Sequence, residues 1–204
     1  MNKTIIGIII GTVALLGILL WLGTRAQQST SPNAQITVGT PAPEFRLPST
    51  HGGTVSLADF KGKKNVLLYF HEGITCDPCW EQIPAIEKHL KDLEAMNVTH
   101  LNVTTDPLED IKKRAAPYGI TTPTLEDINN KVTKAYDMER FSMAMPSSSG
   151  IRPGHSFVLI GIDGIIRWRK DYWDGYGMMN VPGGKMYVEP IEIINNVKAA
   201  LAAN

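Results

Sequence analysis

The chain has only two cysteines, Cys76 and Cys79, and they lie three positions apart in the stretch LYFHEGITCDPCWEQIP. Such a pair can exchange disulfides, bind a metal ion or form a static structural bond. A static disulfide here would close a very small ring and remove little entropy from the unfolded chain. A zinc site usually needs four protein ligands. The two cysteines could recruit His71, His155 or His51, but the chain has no second C-x-x-C pair.

The predicted local structure favours redox chemistry at this pair. The apolar run at 65–71, NVLLYFH, is typical of a central strand, and apolar residues recur at helical spacing from Cys79 onwards. Cys76 would therefore lie at the mouth of a helix, where unpaired backbone N–H groups stabilise a thiolate. Cys79, one turn further on, would resolve the mixed disulfide that Cys76 forms with its target.

The segments before and after the motif predict further strands and one kinked helix. Two short strands joined at Gly52-Gly53 precede the central strand. The helix that carries Cys79 is predicted to continue to Leu93, with a kink at Pro84. The stretch at 97–104, NVTHLNVT, predicts another strand.

The second half of the chain continues the alternation of helices and strands. Helices are predicted from 107 to 119 and from 125 to 138. The segments SFVLIG and IIRWRK flank Asp163-Gly164 as a hairpin, and a last helix is predicted to begin near Pro190. This order predicts an α/β fold with a central mixed sheet and helices on both faces.

The N-terminal region predicts a membrane anchor. Residues 4–23 carry no charge, and at about 1.5 Å per residue they would span the roughly 30 Å core of a bilayer. Trp21 lies near one end, where interfacial aromatic residues are common. The alternative is a cleaved signal peptide, but its apolar region is usually shorter, and the following GTRAQQ is a poor cleavage site. We therefore expect residues 1–3 in the cytoplasm, a single-pass helix at 4–23, a flexible linker at 24–37 and an extracytoplasmic domain at 38–204.

Composition argues against nucleic-acid binding. The chain has 20 basic and 20 acidic residues, so its formal net charge is zero. Proteins that bind nucleic acid usually concentrate positive charge on one face. We expect a membrane and other proteins as partners, and no nucleic acid.

Two stretches resemble a known family. VGTPAPEFRLPSTHGGTVSLADFKGKKNVLLYF resembles the opening of the AhpC/TSA–redoxin branch of the thioredoxin superfamily. CDPCWEQIP resembles the C-x-P-C-x-x-x-x-P motif of membrane-anchored TlpA- and ResA-like thiol-disulfide oxidoreductases. The resemblance covers about 38–203 and implies a thioredoxin-like fold with Cys76 as nucleophile and Cys79 as resolver. It further implies protein thiol or disulfide substrates, a redox partner protein and no cofactor.

Three features of the chain depart from that family. Thr75 stands where the family commonly has an aromatic residue before the first cysteine. Five residues, HEGIT, separate Phe70 from Cys76, where the family usually has four. The family places a cis-proline just ahead of the strand that faces the dithiol, and Pro153 is the candidate, one residue further from its strand than expected.

Residues beside the cysteines are candidates for supporting roles. His71 or Glu72 could take the proton that Cys79 must lose, although a solvated pair of loop residues is the simpler interpretation. His155 precedes a buried strand and is more often structural than catalytic in such a position. Trp80 could contact a substrate at the rim of the site or simply pack inside the domain.

An antioxidant thiol peroxidase of the peroxiredoxin type is the first alternative. Peroxiredoxins resemble P-x-x-x-T-x-x-C around the peroxidatic cysteine, and neither Cys76 nor Cys79 fits that register. Arg152 could supply the arginine that these enzymes place near a later strand. Thr75 could supply the missing hydroxyl group.

A copper chaperone with a thioredoxin fold is the second alternative. Such chaperones pair two cysteines with a histidine, which resembles Cys76, Cys79 and His155, but with three residues between the cysteines instead of two. Thioether sulfur also suits Cu(I), although methionine more often fills gaps in a core. The methionines in question are Met143, Met145, Met178, Met179 and Met186.

Overall fold

The computed structural model describes residues 36–138, 152–172 and 187–203. The strands are β1 (Arg46–Pro48), β2 (Thr54–Ser56), β3 (Asn65–Phe70), β4 (Val98–Thr104), β5 (Thr124–Glu126), β6 (Ser156–Ile160) and β7 (Ile166–Asp171). The α-helices are α1 (Asp77–Glu87), α2 (Leu90–Ala95), α3 (Leu108–Ala115), α4 (Lys131–Ala135) and α5 (Pro190–Ala202).

Five strands form a mixed sheet in the order β5-β4-β3-β6-β7. Strand β3 lies at its centre, parallel to β4 and antiparallel to β6, and all six of its residues are buried. Strands β1 and β2 form a separate antiparallel pair. The predicted α/β fold with a central mixed sheet is therefore confirmed. So are the central strand, the early strand pair and the late β6–β7 hairpin.

Side chains of β3 alternate between two hydrophobic layers. Val66, Leu68 and Phe70 face a layer that also contains residues of β1 and α4. Leu67 and Tyr69 face the opposite layer, which α1, α2, α3 and α5 complete. Since α1 begins only a few residues beyond the end of β3, the two cysteines lie where this second layer meets the carboxyl end of the central strand.

The predicted helix at 125–138 is wrong over its first half. Leu125 is fully buried in β5 and pairs with β4, so burial in the sheet outweighs the local helical pattern. Helix formation starts only at α4, where the carboxylate of Asp127 accepts the backbone N–H groups of Val132 and Thr133.

The helix predicted to reach Leu93 is two helices. Helix α1 contains Pro84 and ends at Glu87, and α2 begins at Leu90. The helix continues for three residues beyond Pro84, and the break lies at His89, whose φ of −108° and ψ of 15° are not helical. The predicted helix at 107–119 is α3 followed by a short 3₁₀ turn, and it ends at Gly119 with a φ of 61°.

The predicted membrane anchor at 4–23 and most of the predicted linker lie outside the described residues. Within the parts of the chain that the structure covers, no helix combines the length and apolar character needed to cross a bilayer.

Candidate active site

The two cysteines lie at the junction of the central strand and α1, as predicted. Strand β3 ends at Phe70, and a 3₁₀ turn at Gly73–Thr75 leads to Cys76, which is the N-cap residue of α1. Cys76 and Cys79 form a disulfide with their Cα atoms 5.3 Å apart. The backbone N–H of Cys79 donates to Sγ of Cys76 at 3.2 Å, so the helix N-terminus presents a donor to this sulfur.

The two cysteines differ in their exposure to solvent. Cys76 is 6% exposed, whereas Cys79 is completely buried. Thr75, immediately before Cys76, is exposed. Of the two cysteines, Cys76 is therefore the one that lies nearer to solvent among the described residues.

Glu72 contacts the buried sulfur. Its Oε2 lies 2.6 Å from Sγ of Cys79, and the residue is only 2% exposed. Because a sulfur in a disulfide carries no proton, the hydrogen in this contact has to come from the carboxyl group. Burial raises the pKa of Glu72 to about 7, against the opposing effects of its backbone hydrogen bond and the charge of Arg152. Once the disulfide is reduced, a carboxyl group with this pKa can exchange a proton with the thiol of Cys79 near neutral pH.

His71 supports the turn rather than the sulfurs. It is completely buried, and its Nδ1 accepts the backbone N–H of Gly73 at 3.2 Å. Its ring stacks on Tyr69 with the centroids 5.1 Å apart. Burial lowers the pKa of His71 to about 3, so the ring is neutral at physiological pH. The interpretation of His71 and Glu72 as a solvated loop pair is wrong, because the chain folds back over both side chains.

His155 borders the buried sulfur from the other side. Its Nδ1 lies 3.7 Å from Sγ of Cys79 and 2.9 Å from the hydroxyl oxygen of Tyr69. Burial lowers the pKa of His155 to about 3. His155 is therefore a neutral, hydrogen-bonded histidine, as expected for a structural residue, but it also reaches the site.

Glu72, Cys79 and His155 offer one oxygen, one sulfur and one nitrogen within 4.8 Å of one another. Such atoms can bind a metal ion, but binding through sulfur requires a thiolate. In this oxidised form the sulfur of Cys79 is bonded to Cys76. The contact that remains is one between a carboxyl group, an imidazole and a disulfide sulfur.

Trp80 packs inside the domain and is not part of a substrate-contacting rim. It is fully buried, and its indole N–H donates to the carbonyl of Gly73 at 2.8 Å. Of the two interpretations open from the sequence, packing is the one that the structure supports. The bond nevertheless ties α1 to the turn before Cys76.

Arg152 pairs with an aspartate that the sequence did not single out. Its Nη1 lies 3.0 Å from Oδ1 of Asp106 and also donates to the carbonyl of Glu72. Asp106 follows β4, whose carboxyl end lies beside that of the parallel strand β3. A polar residue just after the neighbouring parallel strand was the signal that could have found it.

Pro153 lies next to Arg152 and is buried. No peptide bond among the described residues is cis, so Pro153 lacks the cis geometry that the family resemblance implies. The methionines invoked for copper binding, at 143, 145, 178, 179 and 186, all lie outside the described residues.

Comparison with known proteins identifies the family. The AhpC/TSA family matches residues 38–169, which is more than half of the chain. The chain belongs to the AhpC/TSA family. This agrees with the resemblance of its opening segment and of its cysteine motif.

The relatives of this chain are named either as thiol-disulfide oxidoreductases or as peroxiredoxins. The Thiol-disulfide oxidoreductase ResA of Bacillus subtilis is 29% identical over 135 residues, which cover 65% of this chain and 70% of the relative. A Mycobacterium tuberculosis relative with a provisional peroxiredoxin name is 29% identical over 102 residues, or 50% of this chain. That match spans 64% of the relative's length.

Solved structures agree on the fold. The crystal structure of peroxidoxin BcpB from Mycobacterium tuberculosis superposes with a TM-score of 0.64 at 15% identity. It covers 80% of this chain and 97% of the other. At this identity the likeness concerns the thioredoxin-like fold alone.

Proposed function

We propose that this AhpC/TSA protein is a thiol-disulfide oxidoreductase that exchanges disulfides with protein targets through Cys76 and Cys79. The observation that carries the proposal is the asymmetry of the pair. Cys76 keeps a small exposed fraction of 6% and its sulfur accepts a backbone N–H bond, whereas Cys79 is completely buried and its sulfur contacts a carboxyl group. A nucleophile and a resolver need these two different surroundings.

The reaction begins at Cys76 of the reduced protein. Its thiolate attacks one sulfur of a target disulfide, forms a mixed disulfide and releases the other target sulfur as a thiolate. Cys79 then loses its proton to the Glu72 carboxylate and attacks Sγ of Cys76. The Cys76–Cys79 disulfide forms, the second target sulfur leaves as a thiolate, and two electrons have passed to the target. A partner dithiol restores the reduced form by the reverse steps.

Trapping the mixed disulfide tests this proposal. In Cys79→Ser the resolving sulfur is missing, so we expect target proteins to remain covalently attached to Cys76 until a reductant is added. Cys76→Ser is the matched control and should trap far less, because the sulfur that remains is buried. Equal trapping by the two variants, or none by either, would contradict the assignment of the two roles.

We further propose that residues 4–23 anchor the protein in a membrane, with the redox domain on the extracytoplasmic side. The support comes from the uncharged stretch itself and from the compartments in which dithiols can cycle to disulfides. Protease treatment of intact bacterial spheroplasts that express the full chain with a C-terminal tag tests this. Digestion of the tag before lysis is expected, and protection of the tag until lysis would contradict it.

A thiol peroxidase is the second candidate function. Peroxiredoxin-named relatives favour it, as does the exposed Thr75 beside Cys76. Against it stands Arg152, whose guanidinium group is engaged by Asp106 and by the carbonyl of Glu72. Stopped-flow mixing of the reduced protein with hydrogen peroxide distinguishes the two functions. Rapid peroxide consumption that depends on Cys76 would favour the peroxidase, and slow oxidation favours dithiol exchange.

A further inference from the structure

Asp106 lies outside the cysteine motif, yet its carboxylate contacts the turn that carries Cys76. Its Oδ2 accepts the backbone N–H of Ile74 at 2.8 Å and the hydroxyl group of Thr104 at 3.0 Å. Its Oδ1 pairs with Arg152 at 3.0 Å. Asp106 is only 1% exposed and Arg152 only 4%, so the ion pair is buried.

The same pair joins three parts of the fold at the site. Asp106 follows β4, Arg152 precedes β6, and both bind the segment that leads from β3 to Cys76. Gly73 shows how closely this segment approaches: a Cβ atom added there would lie 1.6 Å from Oδ2 of Asp106. The carboxylate therefore occupies the space beside the turn and leaves it little freedom to move.

A buried ion pair is a poor device for stability alone. Removing two charges from water is costly, and packed apolar side chains of similar volume often stabilise a protein as well or better. This pair, however, makes directional hydrogen bonds to the backbone at Ile74 and Glu72, and so fixes the position of the turn. Apolar side chains make no such directional bonds.

We propose that Asp106 and Arg152 are positioning residues for the redox reaction, which hold the Gly73–Thr75 turn and set the electrostatic surroundings of the Glu72 carboxyl group. This inference rests on the proposed dithiol exchange. It assigns a role in that reaction to two residues that lie 27 and 73 positions beyond Cys79 in the sequence. Neither residue touches a cysteine sulfur in the described contacts.

The groups around Glu72 make the electrostatic part specific. The ionisable groups that face it are Tyr69 and His71 beside β3, Cys79 on α1, His155 and Arg152 ahead of β6, and Asp106 after β4. Burial keeps both histidines neutral and raises the pKa of Tyr69, so its hydroxyl group is neutral too. Arg152 is the cation in this set and lowers the pKa of Glu72. Asp106 pairs with Arg152, so its negative charge opposes that effect.

Removing the charge of Asp106 and removing the charge of Arg152 should therefore shift the pH dependence of the reaction in opposite directions. In Asp106→Asn the uncompensated arginine favours the Glu72 carboxylate, and in Arg152→Gln the uncompensated aspartate favours the protonated form. We expect shifts on the order of one pH unit, downward and upward respectively. In the double variant, where both charges are absent, the profile should return toward that of the wild type.

The test uses the reduced protein and a chromogenic aryl disulfide in a stopped-flow instrument. The first aryl thiolate is released when Cys76 attacks and the second when Cys79 resolves, so the second phase reports the resolving step. Its rate is measured against pH for the wild type and for all three variants. Asp110→Asn is the control, since it removes the same charge from a largely exposed pair with Lys113.

Opposite shifts in the two single variants, with recovery in the double variant and none in the control, would support the inference. Shifts in the same direction, or unchanged profiles, would overturn it. If a single variant does not fold, the double variant still tests the inference, because it carries neither charge. A pH profile of the double variant that is displaced from that of the wild type by about one pH unit would then contradict the inference. Loss of both phases in the wild type would instead contradict the dithiol exchange itself.

Discussion

The buried carboxyl group of Glu72 should destabilise the oxidised protein at alkaline pH. Its pKa is raised from 4.5 to about 7, with burial as the main cause. A difference of 2.5 units corresponds to about 3 kcal/mol at 1.36 kcal/mol per unit. Glu72 is only 2% exposed, so solvent screening removes little of this.

The sign follows from proton binding. Between the two pKa values the folded protein keeps a proton on Glu72 that the unfolded chain releases, so the free energy of unfolding falls as pH rises through this window. Below the unfolded value both states are protonated and the penalty vanishes. Glu72→Gln remains neutral throughout, so it should escape the penalty.

Urea unfolding of the disulfide-intact proteins measures the effect. From about pH 4 to about pH 8.5, the stability of Glu72→Gln relative to the wild type should increase by about 3 kcal/mol. Taking the change with pH cancels any constant effect of the amide, and it also cancels the buried histidines common to both proteins. Glu94→Gln, at an exposed glutamate in α2, is the control and should show no such trend. A difference that stays constant with pH would refute the argument.

Two further predictions concern the turn and the cysteines. Gly73→Ala would place a Cβ atom 1.6 Å from Oδ2 of Asp106 at a φ of 78°, so we expect it to cost about 3 kcal/mol or more in urea unfolding. Gly62→Ala, at a φ of 74° with open space around it, should cost only about 1 kcal/mol, and equal losses would contradict the steric explanation. In the reduced protein, mass spectrometry should find alkylation at Cys76 well before Cys79, because the latter is completely buried; simultaneous labelling would contradict the proposed order of attack.

Most of the fold could be predicted because most strands and helices are specified by the pattern of apolar residues within each segment. The uninterrupted apolar run of β3 and the change to helical spacing after Cys79 place the cysteines at a strand–helix junction. The helical pattern at 125–138 misled because the pairing of β5 with β4 depends on a distant part of the chain. A local pattern cannot register such a partner.

The surroundings of the cysteines were harder to predict for the same reason. Glu72 is polar and follows a strand, which is typical of an exposed loop residue, and its burial arises from contacts with α1 and with the segment ahead of β6. The partner of Arg152 lies 46 residues away, at Asp106. Only the adjacency of β3 and β4 in the sheet brings that carboxylate to the turn.

The most direct test of the account is the pH dependence of the resolving step in the wild type and in Glu72→Gln. If Glu72 accepts the proton of Cys79, the second phase of the aryl disulfide reaction should rise with pH around a midpoint of about 7 in the wild type. In Glu72→Gln this midpoint should vanish, and the phase should slow by about 100-fold near neutral pH, far more than the first phase. An unchanged second phase in the variant would contradict the central claim that the buried carboxyl group serves the buried sulfur.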